Sequence, residues 1–232
     1  MSAAAFVSGA AVLASGAFML RDNYYSERIL TFTPAASDKV LLSPGIGLAP
    51  WAESDETRNI QTTLVYVELR WSDWEPEKGQ YDIEYVKDTY DLEYYRSDGR
   101  QAVFRFVCDE PTDKVHMDIP QWLFEETGED GEWYTNSYGK GYSPNYSNEI
   151  FIAEHAKAVA ALGEAFGQDD MFIYVELGSL GHWGEWHVNY ATGLRRMPEF
   201  AVREQYIKPY IAAFPNALFL IRYPLIDVKQ YH

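Results

Sequence analysis

One alternation dominates the chain beyond residue 40: a short apolar run, a turn and then a stretch with helical spacing, repeated along the sequence. Five apolar runs predict β-strands, at 40–42, 62–70, 101–107, 171–177 and 217–223. Helices are predicted between them, at 83–95, 150–166 and 199–214. Strands that alternate with helices form a mainly parallel sheet, so the sequence predicts an α/β fold.

This alternation leaves two architectures open, a doubly wound open sheet and a (β/α)8 barrel. No glycine-rich phosphate loop follows a predicted strand, which disfavours a nucleotide-binding open sheet. Charges also lie inside the predicted strands, and the polar upper end of a barrel can pair them. These charged residues are Glu68, Arg70, Arg105, Glu176 and Arg222. We therefore predict a (β/α)8 TIM barrel. For the arginines within the strands, a purely structural role in a ladder of salt bridges stays open as an alternative.

A complete barrel has eight strands, typically in about 250 residues. Here five predicted strands extend to the last residues of a chain of 232. We therefore expect residues 40–232 to form the first five β/α units of a barrel that is cut short before it closes. Residues 1–39 are predicted to be a separate segment and linker.

The N-terminal segment contains an apolar stretch, residues 3–20, with no charge before Arg21. The stretch is long for a core strand and short for a membrane span, and its small residues suit the apolar region of a signal peptide. The basic segment that normally precedes such a region is absent. Export is predicted, with the segment either cleaved or kept as a membrane anchor, and a mis-started or buried segment is the alternative.

Charge and composition limit the partners. The formal net charge of −16 disfavours nucleic acids and anionic membrane surfaces, because both are bound by clustered lysine and arginine. A neutral ligand such as a carbohydrate is compatible with this charge. The 7 Trp and 18 Tyr fit either a large core or rings that stack on sugars. The single cysteine, Cys108, excludes an internal disulfide and a cysteine-rich zinc site, and we expect no metal or cofactor.

Three segments carry motifs: WSDWEPEKGQYD at 71–82, RFVCDEP with IPQWL at 105–111 and 119–123, and YVELGSLGHWGEWH at 174–187. The first is predicted to be a turn whose last residue, Asp82, caps the next helix. Glu75 and Glu77 in this turn are therefore interpreted as architectural. The three glycines of the third segment would let the backbone turn tightly and approach a ligand.

The first segment resembles the W-x-x-x-E-P-x-x-G-x-Y-D signature of clan-A glycoside hydrolases, especially the β-galactosidase families 35 and 42. The second is similar, more loosely, to the end of the third strand and the wall of the substrate site in those families. The third resembles a segment of glycosidase-like barrels related to family 42. In clan A the fourth strand ends in the general acid/base, usually in an Asn-Glu pair, whereas no Asn precedes either glutamate here.

The third segment also suggests its own chemistry. Glu185 lies between Trp183 and Trp186, and an apolar flank favours the protonated form that a general acid needs. A structural loop of packed tryptophans around a solvated glutamate is the alternative. Glu176 is the rival acid, although an ion pair with a strand arginine explains it equally well. The predicted catalytic residues are Glu185 and Glu176, and the predicted substrate-binding residues are Trp183, Trp186, His187, Arg105, Asp109 and Trp71.

A glycosidase needs a second carboxylate on the other side of the bond that it cleaves. The resemblance implies that this residue ends a seventh strand, which the five predicted strands do not include. We therefore expect a β-galactosidase-like glycoside hydrolase that acts on O-glycosidic bonds by carboxylate acid/base catalysis and is incomplete as given. A non-catalytic carbohydrate-binding barrel is the alternative, and a purely structural fragment is a third hypothesis.

Overall fold

The computed structural model describes residues 42–222. Its parallel strands are β1 Leu64–Arg70, β2 Gln101–Val107, β5 Phe172–Glu176 and β6 Leu218–Leu220. They form one sheet in the order β1-β2-β5-β6, and a separate antiparallel hairpin pairs β3 Gly131–Asn136 with β4 Gly139–Pro144. The helices are α1 Trp71–Trp74, α2 Ile83–Thr89, α3 Leu92–Ser97, α4 Gln121–Glu126, α5 Glu149–Phe166 and α6 Phe200–Ala213.

The predicted α/β alternation is confirmed in the described residues. The strands predicted at 62–70, 101–107 and 171–177 are β1, β2 and β5, and they differ from the prediction only at their ends. Their pattern was clear because each is an apolar run bounded by turn residues. Within residues 42–222 the four parallel strands form an open sheet of β/α units.

The first predicted strand, 40–42, is not a strand at its one described residue, Leu42, and the other two lie outside the described residues. The position beside β1 is taken instead by residues 50–52. Trp51 forms a parallel bridge with Tyr66, and two backbone hydrogen bonds of 2.8 Å join the segments. A single bridge is too short to leave a periodic pattern in the sequence, which is why residues 50–52 were not predicted.

The helix predicted at 83–95 is two helices, α2 and α3. Between them Asp91 has a φ of +49°, in the left-handed region that ends regular helix. The helical spacing continues across the break because both helices bury apolar side chains against the same core. The predicted N-cap is confirmed, since Asp82 Oδ1 accepts a hydrogen bond of 2.9 Å from the backbone N–H of Tyr85.

Residues 71–82 form the turn after β1, and its glutamates serve that turn. Glu75 is buried and accepts hydrogen bonds of 2.9 Å from Trp71 Nε1 and 2.8 Å from a backbone N–H of the same turn. Glu77 accepts a hydrogen bond of 2.7 Å from the side chain of Gln80. The architectural interpretation of both glutamates is confirmed.

The two faces of the parallel sheet differ in polarity. Side chains alternate between the faces along each strand, and the register places Arg105 beside both Glu68 and Glu176. The apolar face packs against α5 and the end of α6, with buried side chains that include Val65, Val67, Leu69, Phe104, Phe106 and Val175. Burial of this face provides most of the driving force for folding. The opposite face is polar and can therefore hold a functional site.

The apolar stretch at 3–20 and the predicted domain boundary after residue 39 lie outside the described residues. Within residues 42–222, no helix combines the length and apolarity needed to cross a membrane. Export and anchoring stay predictions from the sequence.

Candidate active site

Polar side chains gather where the parallel strands end. The carboxyl ends of parallel strands lie at one edge of a sheet, and the loops at that edge commonly carry the functional site. Glu68 lies in the second half of β1 and Arg105 in that of β2, Glu176 ends β5, and Arg222 follows β6. Tyr66 precedes Glu68 by two residues on the same face of β1. We call these five residues the strand-end cluster.

Glu176 is at the centre of the strand-end cluster. Tyr66 donates a hydrogen bond of 2.6 Å to Glu176 Oε2, and Arg222 Nε lies 3.3 Å from the same oxygen. Arg105 Nη1 is 3.6 Å from it. Burial raises the pKa of Tyr66, which keeps its hydroxyl a donor at neutral pH. Because the Glu176 side chain is only 10% exposed, it depends on these partners in place of water.

Glu68 and Arg105 form the buried part of the cluster. Arg105, predicted to bind substrate, is 3% exposed and instead contacts the carboxylate of Glu68 through Nη2. A ligand therefore cannot reach its guanidinium, and the predicted substrate contact is wrong. Burial raises the pKa of Glu68 to about 7, although Arg105 acts to lower it. Glu68 consequently gains and loses a proton near neutral pH.

We expect the free energy of unfolding to fall between about pH 5 and 8 in part because of Glu68. Its folded-state pKa of about 7 exceeds the unfolded value of 4.5, so its contribution is present below 4.5 and is lost as the pH rises through 7. The contribution is about 3 kcal/mol. In urea unfolding across this pH range, the free energy of unfolding should change less with pH in Glu68→Gln than in wild type. Glu164→Gln, at an exposed position of α5, should keep the wild-type dependence; equal slopes in all three proteins would contradict the assignment.

Glu185 lies in the loop 178–187 after β5, which two glycines fold back on itself. Gly181 and Gly184 have φ values of +78° and +67°. A Cβ on Gly184 would lie 1.8 Å from the carbonyl oxygen of Gly178, so a larger residue does not fit. The predicted role of these glycines in turning the backbone is confirmed.

Two tryptophans of this loop also have a left-handed backbone. Trp183 and Trp186 have φ values of +51° and +61°, which are uncommon for residues other than glycine. Such conformations cost about 1–3 kcal/mol each and concentrate at functional sites. Trp186 is directed into the core, where it is 5% exposed and its indole N–H donates to the carbonyl of Leu177. Packing in the core therefore replaces its predicted role as an apolar flank of Glu185, while its predicted contact with a substrate stays a prediction.

A single guanidinium joins Glu185 to Glu176. Arg222 Nη1 donates a hydrogen bond of 3.0 Å to Glu185 Oε1, while its Nε faces Glu176. Glu185 Oε2 lies 3.3 Å from His187 Nε2. Glu185 is thus bordered by an arginine and a histidine rather than by the predicted apolar flank. Its side chain is 27% exposed, which makes it the more accessible of the two carboxylates.

Aromatic rings continue this site beyond Glu185. Trp183 is half-buried and packs against Tyr138 of the β3–β4 turn, with ring centroids 5.6 Å apart. Tyr138 is 44% exposed and meets the ring of His187 edge-on at 5.8 Å. Trp183 and His187 therefore stay candidates for substrate binding, and Tyr138 joins them.

Trp71, predicted to bind substrate, is a core residue. It is fully buried, and its ring lies 5.8 Å from that of Phe106 and 5.2 Å from that of Phe151. A side chain without exposed surface cannot touch a ligand, so the prediction is wrong. The motif correctly placed Trp71 after β1 but could not show which way its side chain is directed.

Trp71→Ala should lower the free energy of unfolding by about 3–5 kcal/mol, because it leaves a cavity in the core. Trp183→Ala should lower it much less, since Trp183 is only half-buried. Urea unfolding of both variants measures the difference. Equal losses of stability would mean that the two tryptophans do not differ in role.

Asp109, also predicted to bind substrate, is buried beneath the loop 178–187. Its carboxylate accepts a hydrogen bond of 2.5 Å from Tyr134 and lies 2.9 Å from His182 Nδ1. Its backbone carbonyl accepts a hydrogen bond of 2.7 Å from the N–H of Trp183. Asp109 has no exposed surface, so it anchors the loop to the end of β2 instead of touching a ligand.

The sequence pattern did not single out Tyr66, and it indicated Glu68 and Arg222 only as charged strand residues. The alternation along 64–70 could have found Tyr66, because it places that residue on the same face as Glu68. The contact of Arg222 with Glu185 had no signal in the sequence, since it depends on how the loop folds. In the part of the chain that the structure describes, no group of three or more His, Cys, Asp and Glu side chains is placed to hold a metal ion.

No protein-family model and no curated protein matches the chain. Among solved structures, it is similar to endoglycoceramidase II from Rhodococcus sp., with 14% identity and a TM-score of 0.49 over 74% of this chain and 44% of that one. An exo-β-1,4-mannosidase from an Opitutaceae bacterium has 13% identity and a TM-score of 0.49, over 72% and 26%. A GH5_18 protein from Bifidobacterium longum subsp. infantis has 13% identity and a TM-score of 0.47, over 71% and 35%.

These three proteins are glycoside hydrolases, and the chain spans less than half the length of each. The resemblance of the motifs to the β-galactosidase families 35 and 42 stays a prediction. Activity, substrate and partners are accordingly proposals that rest on the geometry of the site.

Proposed function

We propose that the chain forms part of a glycoside hydrolase whose site lies at the carboxyl end of the parallel sheet. One observation carries this proposal: Glu176 and Glu185, from a strand end and the loop after it, both contact the guanidinium of Arg222. The guanidinium thereby orients Glu185, a partly exposed carboxyl group at the strand ends. A carboxyl group in this position can act as the acid of glycoside hydrolysis, which also needs a second carboxylate.

Glu185 is proposed as the general acid. It is the more exposed carboxyl group, and it lies on a loop between the strand-end cluster and the aromatic rings of Trp183 and Tyr138. A general acid must come within hydrogen-bond distance of the oxygen that it protonates, which an exposed loop residue can do. His187 and Arg222 hold its two oxygens and thereby fix its direction.

Glu176 is proposed to be a positioning residue that does not itself react with the substrate. Tyr66 donates a hydrogen bond to its carboxylate, Arg105 and Arg222 form ion pairs with it, and little of it is exposed. It keeps Arg222 in place beside Glu185. The second catalytic carboxylate would then come from sequence outside the described residues, as the resemblance to clan A implies.

The substrate is proposed to be an O-glycoside, and a β-galactoside is the first choice because residues 71–82 resemble the motif of the β-galactosidase families. Trp183 and Tyr138 supply rings on which a sugar could stack. Action outside the cytoplasm is proposed from the apolar stretch at 3–20 alone.

Assays of the full-length protein on nitrophenyl β-galactoside, β-glucoside and β-mannoside test this function. We expect the wild-type protein to hydrolyse at least one of them and Glu185→Gln to lose most of that rate. Glu164→Gln, the exposed control on α5, should keep the wild-type rate. Binding of the sugars without turnover would overturn the proposal in favour of a non-catalytic carbohydrate-binding barrel.

A further inference from the structure

A cavity of about 430 Å³ adjoins the loop that carries Glu185. His187, two residues after Glu185, forms part of its wall. The remaining polar lining residues are Tyr190, Arg196 and Arg203, and no carboxylate is found among the described residues that line the cavity. The lining therefore combines basic and aromatic side chains with the apolar Val188 and Met197, in a chain whose net charge is −16.

The two arginines of this cavity are exceptional among those that the structure describes. Residues 42–222 contain nine arginines, and seven of them form ion pairs with carboxylates: Arg58, Arg70, Arg96, Arg100, Arg105, Arg195 and Arg222. Within these residues, Arg196 and Arg203 form none, and both line the cavity. Among the described residues, therefore, no carboxylate pairs with these two guanidinium groups.

Local contacts orient these two arginines but occupy only some of their N–H groups. The guanidinium of Arg196 lies over the ring of Tyr190, with Cζ 3.9 Å from the ring centroid. Stacking of this kind occupies the flat face of a guanidinium and leaves the N–H groups at its edge for a ligand. Arg203 donates Nε–H to the carbonyl of Pro198, so its Nη groups are the ones that can reach a ligand.

We propose that this cavity binds the oxyanion group of an acidic saccharide, a sugar carboxylate or a sulfate ester, beside the bond that is cleaved at Glu185. Guanidinium groups present paired N–H donors that match the oxygens of such groups. The inference rests on the proposed glycosidase function and narrows its substrate class.

The negative charge of the whole chain does not prevent this binding. Electrostatic interactions are screened over about 8 Å at physiological ionic strength. Carboxylates farther than this from the cavity therefore act weakly on a ligand bound in it.

The test is an NMR titration of the full-length protein with methyl glucuronide, methyl glucoside 6-sulfate and neutral methyl glucoside. We expect one of the charged ligands to bind about tenfold more tightly than the neutral one, and this preference to disappear in Arg196→Gln and in Arg203→Gln. Arg195→Gln is the matched control: Arg195 neighbours Arg196 in the chain, but it pairs with Asp130 at 3.1 Å and should keep the preference.

Equal affinity for the three ligands, or a preference that survives in Arg196→Gln, would overturn the inference. Equal affinity for inorganic sulfate and for the sulfated glucoside would also overturn it, because no saccharide would then be recognised. Failure of the proposed function has a different signature. A charged preference that depends on Arg196, in a protein that hydrolyses no glycoside, would support the cavity as a binding site and contradict the glycosidase.

Discussion

Replacing Glu185 with Gln should lower kcat/KM of the full-length protein by about 10²- to 10⁴-fold on glycosides with poor leaving groups. Gln keeps the size of the side chain but cannot donate a proton to the departing oxygen. In the proposed role, the partly exposed position of Glu185 on a loop beside aromatic rings would let it reach that oxygen. The measurement is kcat/KM across a series of aryl glycosides whose leaving groups differ in pKa.

The leaving-group dependence distinguishes a lost acid from a damaged site. Substrates with activated leaving groups need little protonation, so they should lose much less rate in Glu185→Gln. Glu176→Gln should instead affect all substrates alike, because it removes a carboxylate that holds Arg222 and Tyr66. Should Glu176→Gln show the leaving-group dependence while Glu185→Gln stays near wild type, the two roles are reversed.

Replacing Arg105 with Met should lower the free energy of unfolding by about 3–5 kcal/mol at pH values near 8. The arginine is 3% exposed and contacts Glu68 and Glu176, so its loss leaves two poorly solvated carboxylates without their shared partner. The loss should be smaller near pH 5, because burial raises the pKa of Glu68 to about 7 and a protonated Glu68 needs no cation. Urea unfolding at both pH values provides the measurement.

Arg96→Met is the control for this variant. Arg96 also forms an ion pair, 2.6 Å from Asp169, but it is 38% exposed. Exposed pairs contribute about 0–1 kcal/mol, so its removal should cost little at either pH. The double variant Arg105→Met with Glu68→Gln should recover part of the lost stability, since one of the two carboxylates is then gone. Comparable losses in Arg96→Met and Arg105→Met would show that the strand-end cluster is not a buried ion-pair network.

The strands could be located from the sequence because the signal for a buried strand is local. The runs at 62–70, 101–107 and 171–177 are apolar and bounded by turn residues, and each forms a strand of the sheet. The edge position beside β1 could not be located in this way. Residues 50–52 join β1 through one bridge, and a single pair of residues has no periodicity to detect.

The candidate site was recognised only in part, because sequence patterns carry local information and the site depends partly on contacts that are not local. Glu176, Glu185 and the turning glycines were identifiable because residue type and chain position relative to a strand end are local properties. The directions of side chains are not local. Trp186 lies next to Glu185 in the chain, yet its left-handed backbone turns its ring into the core.

Contacts between distant parts of the chain were decided by the tertiary structure alone. Arg222 reaches Glu185 and Glu176 because β6 lies beside β5 in the sheet, and Tyr138 reaches His187 because the β3–β4 hairpin extends to that loop. The charge of the chain was compatible with a neutral ligand, whereas the fold places in one cavity the two arginines that have no carboxylate partner among the described residues. Sequence patterns show which residues share one face of a strand or helix. Packing between elements determines which charged side chains come into contact, and the chemistry of this site depends on those contacts.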